Sequence, residues 1–353
     1  TGTRSHTVTP DQVPVPPYYP DHPVIREDIA QHYNNIQHMD QLLGELLAKL
    51  EADGLADNTI IIWTTDHGDG LPRAKREVYD SGIKVPLVVY WPERFRPGNP
   101  DESQIDDRLV SFIDIGPSIL KIAGVEIPDY MQGTAQLALP PAPEQDYIYA
   151  SKDRLDEFTF RERAVRNKQY KYILNLMPGK PGAQHISYRD QLPMMMELWQ
   201  QYEAGNLNSV QRFWFEPRPE HELYDIVADP YEVNNLAGNP EYSKILEQMQ
   251  NALESWRSSM PDYSEKSELE MAREFWPEGV QPVTSAPTIE ISNDNQMTIV
   301  PANSDDSIGY RVNDGQWKIY SRPFIAPAGS EIQAKAVRYG WAESPVVSTD
   351  LPE

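Results

Sequence analysis

The 353-residue chain holds 54 acidic against 31 basic residues, a formal net charge of −23, with 39% hydrophobic and 10% aromatic residues and no cysteine. This suits a globular protein with at least one large core, and most readily two domains, whose negative field repels nucleic acid and anionic membranes. Disulfides, thiolate metal sites and cysteine nucleophiles are excluded within the chain, no run of 18 apolar residues spans a bilayer, and no charged-then-apolar segment of the signal-peptide kind opens it.

Thr1 to Pro23, rich in Pro and Thr, reads as an extended surface segment. Ile25, Ile29, Tyr33, Ile36, Met39, Leu43, Leu46 and Leu50 then recur at helical spacing and predict one amphipathic helix over 24–52, stopped at Gly54. His6, His32 and His38 invite a catalytic reading. The two on the helix are expected at its surface or core edge, since nothing nearby supplies a partner.

Thr59 to Thr64 and Leu87 to Trp91 read as buried strands of a covered sheet, with the helix before them making an α/β unit. Between them "TTDHGDGLPRAKREVYDSGIKVP" gathers Asp66, His67, Asp69, Arg73, Lys75 and Arg76 into one oversized crossover. Ordered connections of that length are usually functional. A strand ending in Asp-His-Gly puts an oxygen and a nitrogen ligand at a sheet rim, where α/β proteins bind ligands. The oxygen suits Ca²⁺ and the imidazole a softer divalent ion, while Lys75 and its basic neighbours offer cations to an anionic group.

"SFIDIGPSILKIAG" predicts a helix with Asp114 near its start and Gly124 at its end, and Leu137 to Pro143 reads as a linker-like interruption. "DYIYAS" and "RAVRNKQYKYILN" have strand character, "HELYDIVADPYEVNNLA" ends a strand in an Asp-Pro turn, and Ile245 to Trp256 marks a second amphipathic helix. Trp199, Phe213, Trp214 and Phe215 read as core more readily than as a sugar platform. The Pro-rich stretch Trp276 to Pro287 predicts a hinge, and the β-rich tail beyond it, with a hairpin about Asn313-Asp314-Gly315, predicts a small immunoglobulin-like β-sandwich. The expected domains are 1–143, 144–275 and 288–353, with 276–287 as linker.

"LADNTIIIWTTDHGDGLPRAKREVYDSGIKVPLVVYWP", the helix before it, "LVSFIDIGPSIL" after it and "HELYDIVADPYEVNNLAGNP" together resemble, in order, segments of the formylglycine-dependent sulfatases of the alkaline-phosphatase-like superfamily. With "RAVRNKQYKYILNL" the resemblance is to heparan N-sulfatase (sulfamidase)-like members and covers roughly residues 10 to 262. It implies an α/β sheet sandwiched by helices, a smaller α+β subdomain, and hydrolysis of sulfate esters or sulfamates on sulfated carbohydrate.

The resemblance carries Asp66 over as a metal ligand, His67 as a second ligand and catalytic neighbour, and Lys75 as the cation on the sulfate oxygens. Arg73 and Arg76 either assist Lys75 or are solvated. "KDRLDEFTF", with Arg154, Asp156 and Glu157, resembles a stretch near the substrate pocket and reads equally as a surface ion-pair run.

Neither CxPxR nor SxPxR, the family motif whose first residue becomes formylglycine, occurs in the sequence. The Asp-Asp pair that completes the family's metal site is also missing, as is the His motif ahead of the Pro-rich segment. The expectation is therefore a C-terminal piece with half a Ca²⁺ (or other divalent) site, completed by an N-terminal half on other polypeptide, in a periplasmic or secreted setting. Alternatives are a phosphodiesterase or phosphonate hydrolase of the same superfamily and a non-catalytic carbohydrate-binding protein.

Overall fold

The computed structural model describes residues 7–96, 105–292 and 294–352. The chain divides into two compact units, Thr1–Pro261 and Asp262–Glu353. No described helix is long and apolar enough to cross a membrane.

In the first unit the periodic segment folds as α1 (Pro23–Ala52), with proline in its first turn and Gly54 at φ +69° just past its end. The segment ahead of it is no surface strap: Val13 and Tyr19 are 4% and 5% exposed and join Ile25, Ile29, Leu198, Trp214 and Phe215 in one core. Its apolar side chains give it a face to bury, which the Pro and Thr content obscures. His6 lies outside the described residues.

β1 (Ile61–Thr64) and β2 (Leu87–Tyr90) pair directly and antiparallel, from Ile61 opposite Tyr90 to Thr64 opposite Leu87. The segment 65–86 is thus the loop of a hairpin and no crossover. The strands are also less covered than their apolar runs predict, since β2 alternates half-buried and exposed residues. One turn of helix, α2 (Asp80–Ile83), closes the loop, and α3 (Ile115–Ile122) follows β2. Just ahead of α3 the carboxylate of the buried Asp114 accepts from the amides of Ser111, before the helix, and Thr134, beyond it (both 2.8 Å). The linker expected at Leu137 to Pro143 is instead partly interior: Gln136 and Ala138 are buried, and Gln136 Nε2 donates to Pro143 O (2.8 Å).

β3 (Ile148–Leu155), β4 (Phe158–Arg166), β5 (Tyr170–Asn175) and β6 (His221–Asp225) form an antiparallel meander in sequence order. The period-two alternation sorts its residues between two covering layers. Val165, Tyr172 and Leu223 pack on Met249 and Leu253 of a later helix, whereas Ala164, Ile173 and Tyr224 pack on Val78 and Tyr79 of the 65–86 loop. Two helices lie between β5 and β6, α4 (Pro193–Glu203) and the short α5 (Ser209–Arg212); α6 (Ser243–Ser258) is the helix on the first face. α4 escapes the periodicity reading because Met194, Met195 and Leu198 sit within an almost continuous apolar run.

The second unit begins with α7 (Glu268–Phe275), capped by Ser267, and takes in the Pro-rich stretch 276–287. Two antiparallel sheets follow. β7 (Thr288–Ile291), β8 (Gln296–Val300) and β11 (Phe324–Ile325) pair as β11-β8-β7. β9 (Ser307–Val312), β10 (Lys318–Ile319), β12 (Glu331–Val337) and β13 (Val347–Asp350) pair as β10-β9-β12-β13. Ile299 of one sheet and Ile308, Ala334 and Ala336 of the other share a core, as face-to-face sheets require. β9 and β10 pair about the predicted Asn313-Asp314-Gly315 turn, with Asn313 at φ +51°.

Candidate active site

The 65–86 loop is pinned at two close approaches of its own limbs. Gly68 N donates to Gly82 O (2.8 Å), and a Cβ on Gly68 would fall 1.9 Å from Ser81 O, so only glycine lets the limbs meet. At the strand end Thr64 Oγ1 donates to Pro86 O (2.8 Å). The Asp66–His67 pair is held between these two closures.

The basic residues of the loop have three different fates. Arg73, at φ +58°, is buried between the rings of Tyr18 (4.3 Å) and Tyr79 (3.9 Å) and donates to Glu232 O (2.8 Å). Arg76, at φ +82°, turns inward to the β3–β4 hairpin tip, donating to Phe158 O (3.1 Å) and pairing with Asp156 (3.1 Å). Between them Lys75 is exposed, its amide on Asp69 O (2.9 Å) and its ammonium 5.6 Å from the centre of the Tyr188 ring.

Left-handed backbone at a non-glycine residue costs of order 1–3 kcal/mol and persists only where surrounding contacts impose it. Two anchored arginines thus present one lysine. Arg73, packed between two rings at 4% exposure, sits as a structural cation would.

Asp66, His67, Lys75, Asp156 and Tyr188 line a single cleft of ≈ 2100 Å³. The Asp66 carboxylate is 83% exposed, with His67 Nε2 3.6 Å away and His67 Nδ1 against Gly68 O (2.8 Å). Glu157 is turned aside, accepting from Ser187 N (3.1 Å) and Ser187 Oγ, and these hydrogen bonds hold its carboxyl below the usual range. Arg154 is half-buried on β3 and is not among the residues lining the cleft. His32 does have a partner: its Nε2 lies 2.9 Å from Asp69 Oδ1, tying α1 to the loop, while His38 is half-buried on the same helix. Trp214 and Phe215 are core, with Trp199 and Phe215 edge to face at 4.9 Å.

Among the described residues there is no group of three or more His, Cys, Asp or Glu side chains that could hold a metal ion. Asp66 and His67 offer two donors, enough for one side of a divalent cation's shell and too few to complete it.

Beneath the loop lies a buried charge network that the sequence reading misses. Lys152 meets Glu77 (2.8 Å) and Glu162 (3.4 Å); Lys171 meets Asp80 (2.5 Å) and Glu232 (2.8 Å); Arg166 meets Asp80 (3.2 Å); and Arg218 pairs with Glu222. Tyr79 and Tyr224 both donate to Glu222 Oε2 (3.1 and 2.7 Å). Charged residues at inward positions of successive strands are the only sequence signal for it.

Burial pushes the Asp80 carboxyl up, but Lys171 and Arg166 outweigh this and hold it below its ordinary value of 3.8. A depressed carboxylate contributes stability above its unfolded value that is lost as the pH falls through the folded one. Urea midpoints measured from pH 6 to pH 3 should therefore fall below about pH 4, and less steeply in Asp80→Asn. An identical slope in the variant would rule out this carboxylate as a source of acid lability.

The sulfatase family model matches residues 3–125, and the model described as N-sulphoglucosamine sulphohydrolase, C-terminal, matches residues 73–178, so both span the Asp66–Lys75 loop in whole or in part. The chain belongs to the sulfatase family, of the alkaline-phosphatase-like fold. It is 38% identical over 341 residues to an ulvan-active sulfatase of Formosa agariphila, covering 94% of this chain and 56% of the relative. To the N-sulphoglucosamine sulphohydrolase of Homo sapiens it is 27% identical over 263 residues, 70% of this chain and 51% of that one. A solved 2-O GAG sulfatase is 22% identical over 74% of this chain and 52% of its own, with a TM-score of 0.51, and shows the shared fold. The chain spans about half the length of the curated relatives it matches.

Proposed function

We propose that this chain supplies the sulfate-clamping wall of a sulfuric ester or sulfamate hydrolase that acts on sulfated carbohydrate outside the cytoplasm. The observation that carries this reading is that Lys75, Asp66 and His67 all line one cleft, within the segment that the sulfatase family model matches. A compact, strongly hydrated ammonium held on a tightened loop can sit against sulfate oxygens and stabilise the negative charge that grows as the S–O or S–N bond breaks. The Tyr188 ring lies 5.6 Å from the Lys75 ammonium, and the Arg76–Asp156 ion pair belongs to the lining of the same cleft.

A divalent cation, Ca²⁺ by the exposed carboxylate or a softer ion by the imidazole, would be held by Asp66 and His67 together with ligands from outside this chain. Such an ion polarises sulfate oxygens when bound. The formylglycine nucleophile would likewise come from residues outside these 353, which hold neither CxPxR nor SxPxR. The ulvan and glucosamine relatives favour a sulfated polysaccharide substrate over a small aryl sulfate.

Sulfate release by the assembled enzyme should be measured on desulfation-defined ulvan and glycosaminoglycan oligosaccharides, with a phosphate diester as control. Turnover of a sulfated sugar at least about 10²-fold above the diester, a gap of about 2.7 kcal/mol in transition-state binding, is expected. Faster diester hydrolysis would transfer the assignment to phosphoryl chemistry.

A further inference from the structure

The Asn313-Asp314-Gly315 hairpin of the second unit carries a residue that the proposed reaction leaves unused. Asn313 Oδ1 accepts from Glu331 N (2.9 Å), which ties the turn to β12, and the chain leaves the turn through Trp317 into the edge strand β10. Alternation sorts the strands behind it. Ile308, Ala334 and Ala336 face the core, while Gly309 and Arg311 on β9 stand opposite Lys335 and Gln333 on β12 and face outward.

The Trp317 ring is laid across this outer face. It lies 3.6 Å from where a Gly309 Cβ would stand, so a side chain longer than alanine there would run into it. The Arg311 guanidinium is 5.0 Å and the Lys335 ammonium 4.7 Å from the ring centre, and Trp317 stays 37% exposed. Both cations are positioned from the side. Arg311 Nε donates to Gln333 Oε1 (2.6 Å), a neutral amide, and Lys335 pairs with the exposed Glu343 (2.7 Å), a contact weak enough in water for another anion to compete.

In a chain with a formal net charge of −23 an anionic ligand must be drawn by local cations, and here two of them flank one flat apolar ring. A sulfated pyranose has the matching parts, an apolar C–H face for the aromatic and charged groups at its rim. We propose that this face is a second, non-catalytic glycan site, in which a sulfated sugar of a polysaccharide lies on Trp317 and its sulfate accepts from Arg311 and Lys335. The ligand class rests on the hydrolase reading above; the geometry does not, since both family models end by residue 178, ahead of the unit Asp262–Glu353. A second grip on one polymer raises the local concentration of its sulfated residues, and it gives nothing to a fragment too short to reach two sites.

The test is calorimetry and affinity electrophoresis of the protein with ulvan, heparin, their desulfated forms and single-stranded DNA at equal ionic strength. Binding of a sulfated polymer is expected, at least about tenfold tighter than its desulfated form, and Trp317→Ala should weaken it at least about tenfold. That loss should persist in a Lys75→Ala background, which separates it from the cleft. Arg311→Gln with Lys335→Gln should weaken binding and flatten its salt dependence, and Trp317→Phe should keep most of the affinity. Circular dichroism checks folding; should Trp317→Ala unfold, the two glutamine substitutions carry the test.

No binding to either sulfated polymer, affinity indifferent to these substitutions, or tighter binding of single-stranded DNA would overturn the proposal. Turnover is scored apart: Trp317→Ala should raise KM for the polymer, leave kcat unchanged and leave a sulfated disaccharide unaffected. A protein that binds polymer through Trp317 and releases no sulfate keeps this site and counts against the hydrolase reading. One that releases sulfate with a polymer KM indifferent to Trp317 does the reverse.

Discussion

Lys75→Ala in the assembled enzyme is expected to lower kcat/KM for a sulfated oligosaccharide by about 10²–10³, the loss that accompanies removal of one preorganised charge-stabilising group. The Lys75 side chain is exposed and enters no ion pair in the buried network below it, so the unfolding free energy should change by no more than about 0.5 kcal/mol. Lys75→Arg should recover only part of the rate, since a planar fork differs from a compact ammonium in reach and geometry. If the ammonium acts on charge that develops during bond breaking, most of the loss falls in kcat. An alanine variant with wild-type kcat/KM, or one that fails only because the protein unfolds, would remove Lys75 from the sulfate site.

The second large effect concerns stability. Lys152→Met should destabilise the chain by about 3–5 kcal/mol, because it takes the nearest cation from two carboxylates at 2% exposure or less and leaves Glu77 only Arg189 (3.7 Å) and Glu162 only Arg218 (3.6 Å) as ion-pair partners among the described residues. Neither Glu162 oxygen accepts a hydrogen bond among the described residues, and burial pushes this carboxyl above its usual range, so Lys152 is a main reason it can be carried there charged. Adding Glu162→Gln to Lys152→Met should restore about 1–3 kcal/mol, the coupling found between members of one charge network. Urea unfolding of the single and double variants measures both numbers, and strictly additive losses would show that the two residues are energetically independent.

The loop and the network are connected. Glu77 and Asp80 lie in the second limb of the segment whose first limb carries Asp66 and His67, and they anchor it to Lys152, Lys171 and Arg166 on the inner face of β3–β6. Replacing those pairs by apolar residues of matching volume is expected to preserve stability. It would also remove the directional contacts that fix where Lys75 emerges.

Much of the site was legible in the amino-acid order because local chemistry dictates it. An apolar run ending in Asp-His-Gly must leave its strand there, and the helical period of 24–52, the Asn-Asp-Gly hairpin and the Asp-Pro turn are local signals that packing did not override. What one dimension could not separate was Arg73, Lys75 and Arg76, three cations within four residues. Positive φ at 73 and 76 turns two of them into the protein and leaves one in the cleft, a choice made by Tyr18, Tyr79 and the β3–β4 tip from distant parts of the chain. Likewise, alternation assigns Lys152, Glu162, Lys171 and Glu222 to one face of the sheet but calls that face wet. Tertiary structure buries it, because the loop laid over it brings charges of opposite sign, and burying a charge is tolerable only when its partner is buried with it.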